Sequence, residues 1–137
     1  MTLPFGSRKR PTRRGAAVVE FALVAPIFFA LILGIIEFGR MLMVQEILVN
    51  AAREGARAAI LPGETDTQVT TTVSNYLSVS GISGYTETLS PTLSSNPASG
   101  TALTLTVSVP CTTVSWLGGS TWFNGKTLTS SVAMIKE

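Results

Sequence analysis

Histidine is absent from this sequence, and cysteine occurs only once, at Cys111. Without histidine, the chain has neither a serine–histidine triad nor a histidine-ligated metal site. A single cysteine forms no disulfide within the chain, so we expect Cys111 to be a small buried apolar residue, with an intermolecular bridge as the unsupported alternative. Walker and dinucleotide-binding glycine motifs are also missing. The sequence therefore predicts no catalytic residues, no cofactor and no metal site.

Charged residues make up only 13% of the chain, and the basic ones are unevenly placed. Five of them precede Gly15 without any acidic residue: Arg8, Lys9, Arg10, Arg13 and Arg14. From Ala16 onward, five basic residues stand against eight acidic ones, a formal charge of −3. Basic clusters beside an apolar span stay in the cytoplasm. The basic leader therefore predicts membrane topology and does not indicate nucleic-acid binding.

A long apolar segment runs from Ala16 to Ile36. A helix of this length extends about 31 Å, which matches a bilayer core of about 30 Å. An ordinary signal peptide has a shorter apolar core followed by a small-residue cleavage site. A twin-arginine signal at Arg13–Arg14 is disfavoured, because its apolar region is expected to be shorter and weaker. We expect a leader peptide over residues 1–15 and a transmembrane helix over residues 16–36.

Helical periodicity continues beyond this span and predicts an amphipathic stalk over residues 37–61. The apolar or small positions are Phe38, Met41, Leu42, Leu48, Val49, Ala52, Gly55, Ala56, Ala59 and Ile60. The polar positions are Arg40, Glu46, Asn50, Arg53, Glu54 and Arg57. Ala51, Gly55 and Ala59 lie four residues apart and permit a second backbone to approach closely, either the chain's own head or a neighbouring helix. Pro62–Gly63 ends the helix.

Residues 62–137 are predicted to form a small α+β domain outside the cytoplasm, the head of the protein. Thr65 and Gln68 have capping-box spacing, and the helix that they begin should end near Ser80–Gly81. Its apolar face is predicted to contain Val69, Val73, Tyr76 and Leu77. Strict alternation from Thr101 to Val109 predicts a half-buried strand, and weaker patterns predict strands over residues 127–135 and 84–89. A loop is expected over residues 90–100, between the strand at residues 84–89 and the strand from Thr101 to Val109.

The aromatic segment at residues 113–124 has two interpretations. Its large side chains are Trp116, Leu117, Trp122 and Phe123. We expect them to close the core of the head, with a position at the membrane interface as the alternative. A head of this size has a marginal core by itself. It is therefore expected to dock on the stalk, giving an α+β fold with one long helix, a short second helix and a small antiparallel sheet of about three strands, a pilin-like lollipop.

Three sequence motifs can now be compared with a known family. They are RGAAVVEFALVAP at residues 14–26, GIIEFGR at residues 34–40 and NAAREGAR at residues 50–57. Together they resemble the TadE/TadG-like family, pseudopilins of the tight-adherence (Flp) pilus system. The closing residues 130–137 resemble the family's final strand more loosely.

The resemblance implies a minor pilin-like subunit and not an enzyme. A prepilin peptidase would cut between Gly15 and Ala16, with Glu20 and Phe21 completing the processing site. The implied partners are other pilin-like subunits and the pilus assembly platform, in a hetero-oligomer. The implied location is the inner membrane, with a cytoplasmic N-terminus, a single span and a periplasmic or extracellular head. The alternative is a single-pass membrane protein whose head binds a periplasmic partner without any pilus.

Six residues are candidates for assembly contacts: Glu20, Asn50, Arg53, Glu54, Gly55 and Arg57. A carboxylate inside hydrocarbon costs a few kcal/mol, so Glu20 requires a partner or a task. In the related type IV pilins, the implied partner is the new α-amino group of a neighbouring subunit, which here belongs to Ala16 or to a partner pilin. The alternative is that Glu20 serves peptidase recognition only. The charged stalk residues form either an interface or a solvated helix face.

Overall fold

The computed structural model describes residues 14–117 and 123–137 and divides the chain into two compact units, residues 1–35 and 36–137. Helix α1 (Arg14–Ile60) begins in the first unit and ends in the second. This helix confirms the prediction of one uninterrupted helix through the apolar segment and the stalk. A second helix and a three-stranded antiparallel sheet complete the predicted α+β fold.

The described part of the first unit is the beginning of α1, and its apolar side chains are exposed. Phe21 and Ile27 are 70% and 73% exposed, and neighbouring leucine, valine and phenylalanine side chains are similarly open. α1 is long and apolar enough to cross a membrane, judged by its length and composition. Apart from Glu20, this surface is apolar, and it suits contact with lipid chains rather than with water.

Helix α2 (Asp66–Val79) has a capping motif at each end. Thr65 and Gln68 form the predicted capping box, in which each side chain contacts the other residue's backbone N–H. At the other end, Gly81 adopts a φ of +70° and the Ile82 N–H donates to the Leu77 carbonyl at 3.0 Å. This is a Schellman termination, for which glycine is the favoured residue.

The sheet contains β1 (Thr86–Ser90), β2 (Ala102–Pro110) and β3 (Thr127–Ile135), with β2 in the centre. Both pairs are antiparallel, and the register places Leu105 opposite Leu89 on one side and Val132 on the other. The alternation read from the sequence is confirmed, because one face of β2 is fully buried: Leu103, Leu105, Val107 and Val109. The predicted loop at residues 90–100 contains one short 3₁₀ helix (Leu93–Ser95).

The core of the second unit is built from the later part of α1, from α2 and from the inner face of β2. α1 contributes Met41, Val44, Leu48, Ala51, Ala52, Ala56 and Ala59. Leu48, Leu77 and Leu103 have no exposed surface, and burying one such side chain contributes about 1.5–3 kcal/mol. Gln45 adds a polar contact by donating its side-chain N–H to the Thr129 carbonyl at 3.0 Å. The stalk residues therefore supply the apolar partner that the small head lacks.

Several predicted apolar positions are not in this core. Tyr76 lies beside the buried face of α2 and is 36% exposed, and Phe38 and Leu42 on α1 are more than half exposed. The prediction that the aromatic segment closes the core is wrong for Trp116 and Leu117, which are 68% and 52% exposed. Phe123 is half-buried and packs against the core. Trp122 lies outside the described residues.

Asp66 joins the beginning of α2 to the loop after β1 by two hydrogen bonds. Its carboxylate accepts the backbone N–H of Leu93 at 2.7 Å and that of Ser94 at 3.1 Å. Although partial burial raises it, the pKa of Asp66 lies below its ordinary value because these two N–H groups favour the charged form. A carboxyl group with a depressed pKa in the folded state stabilises the fold above its unfolded pKa of about 3.9.

Asp66→Asn is therefore expected to lower the thermal stability of the head near neutral pH by about 1–2 kcal/mol. The wild-type protein should lose this contribution as the pH falls below about 4, since protonation removes the charge that both N–H groups favour. Thermal unfolding of the full chain in detergent, at pH 7 and pH 3, measures the difference. Glu64→Gln is the matched control, and an equal pH profile for Asp66→Asn and wild type would contradict the assignment.

Candidate functional site

The four residues of the predicted processing site lie in the first two turns of α1. Gly15, Ala16, Glu20 and Phe21 are helical, and no other described part of the chain covers them. Their surfaces are therefore open to an enzyme acting at the start of the helix. The glycine, the carboxylate and the aromatic residue thus lie on one short stretch of helix.

The bond between Gly15 and Ala16 is part of the helix, whereas a protease substrate must present an extended backbone. The cost of local unwinding is small here, because the N–H groups of the first turn have no intrahelical partners. Glycine lowers the helical preference further, by about 1 kcal/mol relative to alanine. A Cβ atom added at Gly15 would meet nothing within 4 Å. Gly15 is therefore not required by packing.

Glu20 is the only charged residue between Gly15 and Glu37. The next basic residue towards the C-terminus is Arg40, twenty positions away, which corresponds to about 30 Å along a helix. The residues on either side of Glu20, Val19 and Phe21, have exposed apolar side chains. A carboxylate in such surroundings has no cation on the following helix to pair with.

The charged part of the stalk faces away from the core. Asn50, Arg53, Glu54 and Arg57 are all exposed, whereas Ala51 and Ala52 between them are fully buried. Residues three and four apart share a helix face, so the polar side chains form one outward strip. This strip is available for contact with another protein.

Gly55 lies on the opposite side, against the chain's own head. An added Cβ atom there would collide with the side chain of Leu105 and lie 2.6 Å from Cγ2 of Val73. The sequence left two interpretations of the small-residue row open, and at Gly55 the structure shows packing of the head. Gly55 therefore does not extend the outward polar strip formed by Asn50, Arg53, Glu54 and Arg57.

A second polar cluster, which the sequence did not reveal, joins α1 to the segment after β2. Glu37 is only 3% exposed, and its Oε2 accepts the backbone N–H of Trp116 at 3.3 Å. Arg40 donates its Nε–H to the Val114 carbonyl at 3.3 Å and places its guanidinium 5.1 Å from the centre of the Trp116 ring. Among the described residues, the other Glu37 oxygen has no hydrogen-bond partner. The two charges of the GIIEFGR motif therefore hold Trp116 against α1.

One pocket lies between α2 and β1 and is lined by two carboxylates, Asp66 and Glu87, with threonine and apolar side chains. Within the described ranges, no group of three potential metal ligands exists. Cys111 is buried, and burial raises the pKa of its thiol. A buried protonated thiol is a poor nucleophile. The expected burial of Cys111 is confirmed, and an intermolecular disulfide would require the head to open.

A family model described as "TadE-like protein" matches residues 15–57. The match confirms the resemblance seen in the motifs, and it covers every candidate processing and assembly residue on α1. Comparison with curated proteins and with solved structures gives no match. The match indicates a protein associated with the Tad pilus that has an N-terminal membrane helix. The family is a structural one associated with pili.

Proposed function

We propose that this chain is a minor pilin-like subunit, a pseudopilin, that a prepilin peptidase processes and that acts in assembly of a tight-adherence (Flp-type) pilus. The observation that carries the proposal is the family match over residues 15–57, which falls on one continuous helix. In the sequence, a basic leader precedes this helix, and its first turns contain an unconstrained glycine and an exposed carboxylate. The proposed domains are the leader at residues 1–15, the span at 16–36, the stalk at 37–61 and the head at 62–137.

The membrane arrangement follows from charge and length. Five basic residues before Gly15 favour a cytoplasmic N-terminus, so the span delivers the head to the periplasm or the cell exterior. The proposed location is the inner membrane. The proposed partners are the peptidase, other pilin-like subunits and the assembly platform, with the outward polar strip of the stalk as one contact surface.

Cleavage between Gly15 and Ala16 is expected to remove the leader and leave a chain of 122 residues, since the sequence has 137. In Gly15→Ala, this processing should slow severely, because a side chain obstructs the substrate position and favours the helix at the bond to be cut. Immunoblotting in cells with and without the peptidase measures the size decrease. The added methyl group meets nothing within 4 Å, so a slower reaction reports recognition and not a folding defect.

Gly39→Ala provides the matched control, because Gly39 also lies in α1 with nothing within 4 Å of an added Cβ atom. It should be processed at the wild-type rate. A wild-type chain whose size is independent of the peptidase would contradict the pseudopilin proposal. That outcome would favour the alternative, a single-pass membrane protein whose head binds a periplasmic partner.

A further inference from the structure

Trp116 and Leu117 form an exposed apolar projection on the second unit, and the described structure buries neither of them. They follow the short helix α3 (Cys111–Val114), whose first and last residues are both in the core. The projection is therefore displayed from a fixed base. A contiguous group of exposed apolar side chains marks a contact surface, whereas single scattered ones do not.

The contacts of Trp116 determine its level along α1. Its backbone N–H donates to the Glu37 carboxylate, and the Arg40 guanidinium lies over its ring. These residues are one and four positions beyond Ile36, the last residue of the proposed span, which corresponds to about 1.5 and 6 Å along the helix. The headgroup layer of a bilayer is roughly 5–8 Å thick on each side of the hydrocarbon core. With the span ending at Ile36 as proposed, these contacts correspond to the depth of the headgroups.

The chemistry of the cluster fits this layer. Tryptophan is enriched at membrane interfaces because its ring is apolar and its indole N–H is polar. Arg40 is half-buried, and the guanidinium N–H groups that do not bind Val114 are suited to donate to lipid phosphates. Phe38 on α1, two positions beyond Ile36, is exposed at the same level. Apolar side chains and one cation together match a lipid surface.

We propose that Trp116 and Leu117 insert into the headgroup layer of the leaflet in which the span ends, and that Glu37 and Arg40 are the positioning residues that hold them there. The lipid contact gives the head a second attachment to the membrane besides the span. This inference rests on α1 crossing the membrane, as proposed above. It concerns the head alone and does not depend on peptidase cleavage.

The test uses the full chain with Trp122→Phe, reconstituted at low protein density in vesicles of phosphatidylcholine and phosphatidylglycerol, so that Trp116 is the only tryptophan. Lipids brominated at different chain depths should quench its fluorescence, most strongly when the bromines are near the headgroups. Its emission should be blue-shifted and poorly quenched by aqueous iodide. Efficient iodide quenching without quenching by bromolipid would overturn the proposal.

Two controls distinguish contact with lipid from contact with water or with another protein chain. A reporter made by Leu61→Trp in a chain with Trp116→Phe and Trp122→Phe should respond to iodide and not to bromolipid, because Leu61 is exposed directly after α1, about 37 Å beyond Ile36 along the helix. Protection of Trp116 from both quenchers that disappears on dilution into more lipid would assign the surface to another subunit and overturn the lipid contact. Alkaline extraction tests the span independently, because only a chain without a membrane-spanning helix is released.

The positioning role is measured in the same system. Glu37→Ala and Arg40→Ala should each broaden the depth profile of Trp116 and increase its iodide quenching, while the chain stays resistant to alkaline extraction. Glu46→Ala, at an exposed carboxylate further along α1, should change neither. An unaltered depth profile in both Glu37→Ala and Arg40→Ala would contradict the role assigned to them.

Discussion

Replacing Glu20 with alanine is expected to leave cleavage after Gly15 largely intact and to abolish incorporation of the chain into the pilus machinery. Cleavage creates a positively charged α-amino group at the start of the helix. A buried amine and a buried carboxylate are each costly in hydrocarbon and become tolerable together. Glu20 is exposed and has no cation on the following helix before Arg40, so its partner is expected on a neighbouring subunit.

Such a pair also sets the register between subunits, because only one axial position brings the two charges together. Glu20→Gln is the sharper variant, since it keeps the shape of the side chain and removes the charge. It should fail in incorporation nearly as completely as Glu20→Ala. Peptidase-dependent size and recovery in sheared pili or in the assembly complex are the two measurements. Glu46→Ala should be normal in both.

The opposite pattern would contradict the pairing. If Glu20→Ala blocks cleavage, while a version supplied already cleaved is incorporated normally, Glu20 serves peptidase recognition alone. The two variants therefore decide between a charge pair with a neighbouring subunit and a contact made only with the peptidase.

Replacing Gly55 with leucine is expected to unfold the head while leaving membrane insertion intact. Even a single Cβ atom at this position meets Leu105 and lies 2.6 Å from Val73 Cγ2, both in fully packed surroundings. Overpacking a core costs about 1–3 kcal/mol and sometimes more, and the whole leucine side chain must be accommodated. The core of the head is small, so a loss of this size removes much of its stability.

Gly55→Ala and Gly39→Ala form a matched pair for this prediction. Both changes gain up to about 1 kcal/mol of helix propensity. Gly39 has open space around it, so Gly39→Ala should be neutral or stabilising, whereas Gly55→Ala should be destabilising. Protease resistance and thermal unfolding of the full chain in detergent measure the difference. Equal stability of the two variants would show that the close contact at Gly55 is not rigid.

The same comparison separates folding from assembly on the stalk. A failure of pilus assembly in Gly55→Leu would follow from the damaged head, because Gly55 faces the chain's own core. The outward polar strip is tested instead by charge reversal at Arg53 and Arg57, which are exposed. These changes should leave the head folded, since exposed charges contribute about 0–1 kcal/mol to stability.

The sequence predicted those parts of the fold that depend on local patterns. Three such features could be predicted from the sequence: the capping box at Thr65, the alternation through β2 and the limits of β3. Each of them arises from neighbouring residues along the chain. Tyr76 and Leu42 were misplaced, since periodicity shows that a helix has an apolar face but does not fix its width. On a helix that enters a membrane, apolar residues also occur where no protein covers them.

The Glu37, Arg40 and Trp116 cluster could not be predicted in the same way. The hydrogen bond between Glu37 and Trp116 joins residues 79 positions apart, and no local pattern encodes such a contact. The available signal was a pair of opposite charges directly after an apolar segment, together with an aromatic segment of uncertain role. Gly55 shows the same limit, because a small residue permits close approach without identifying what approaches.

The N-terminal residue of the chain isolated from membranes of cells that contain the prepilin peptidase tests the pseudopilin proposal most directly. Mass spectrometry of the intact protein and of its N-terminal peptide gives that residue without any substitution. We predict that the mature chain begins at Ala16 and that its basic leader is absent. A chain that still carries the leader, or one that begins at any residue other than Ala16, would contradict the proposal.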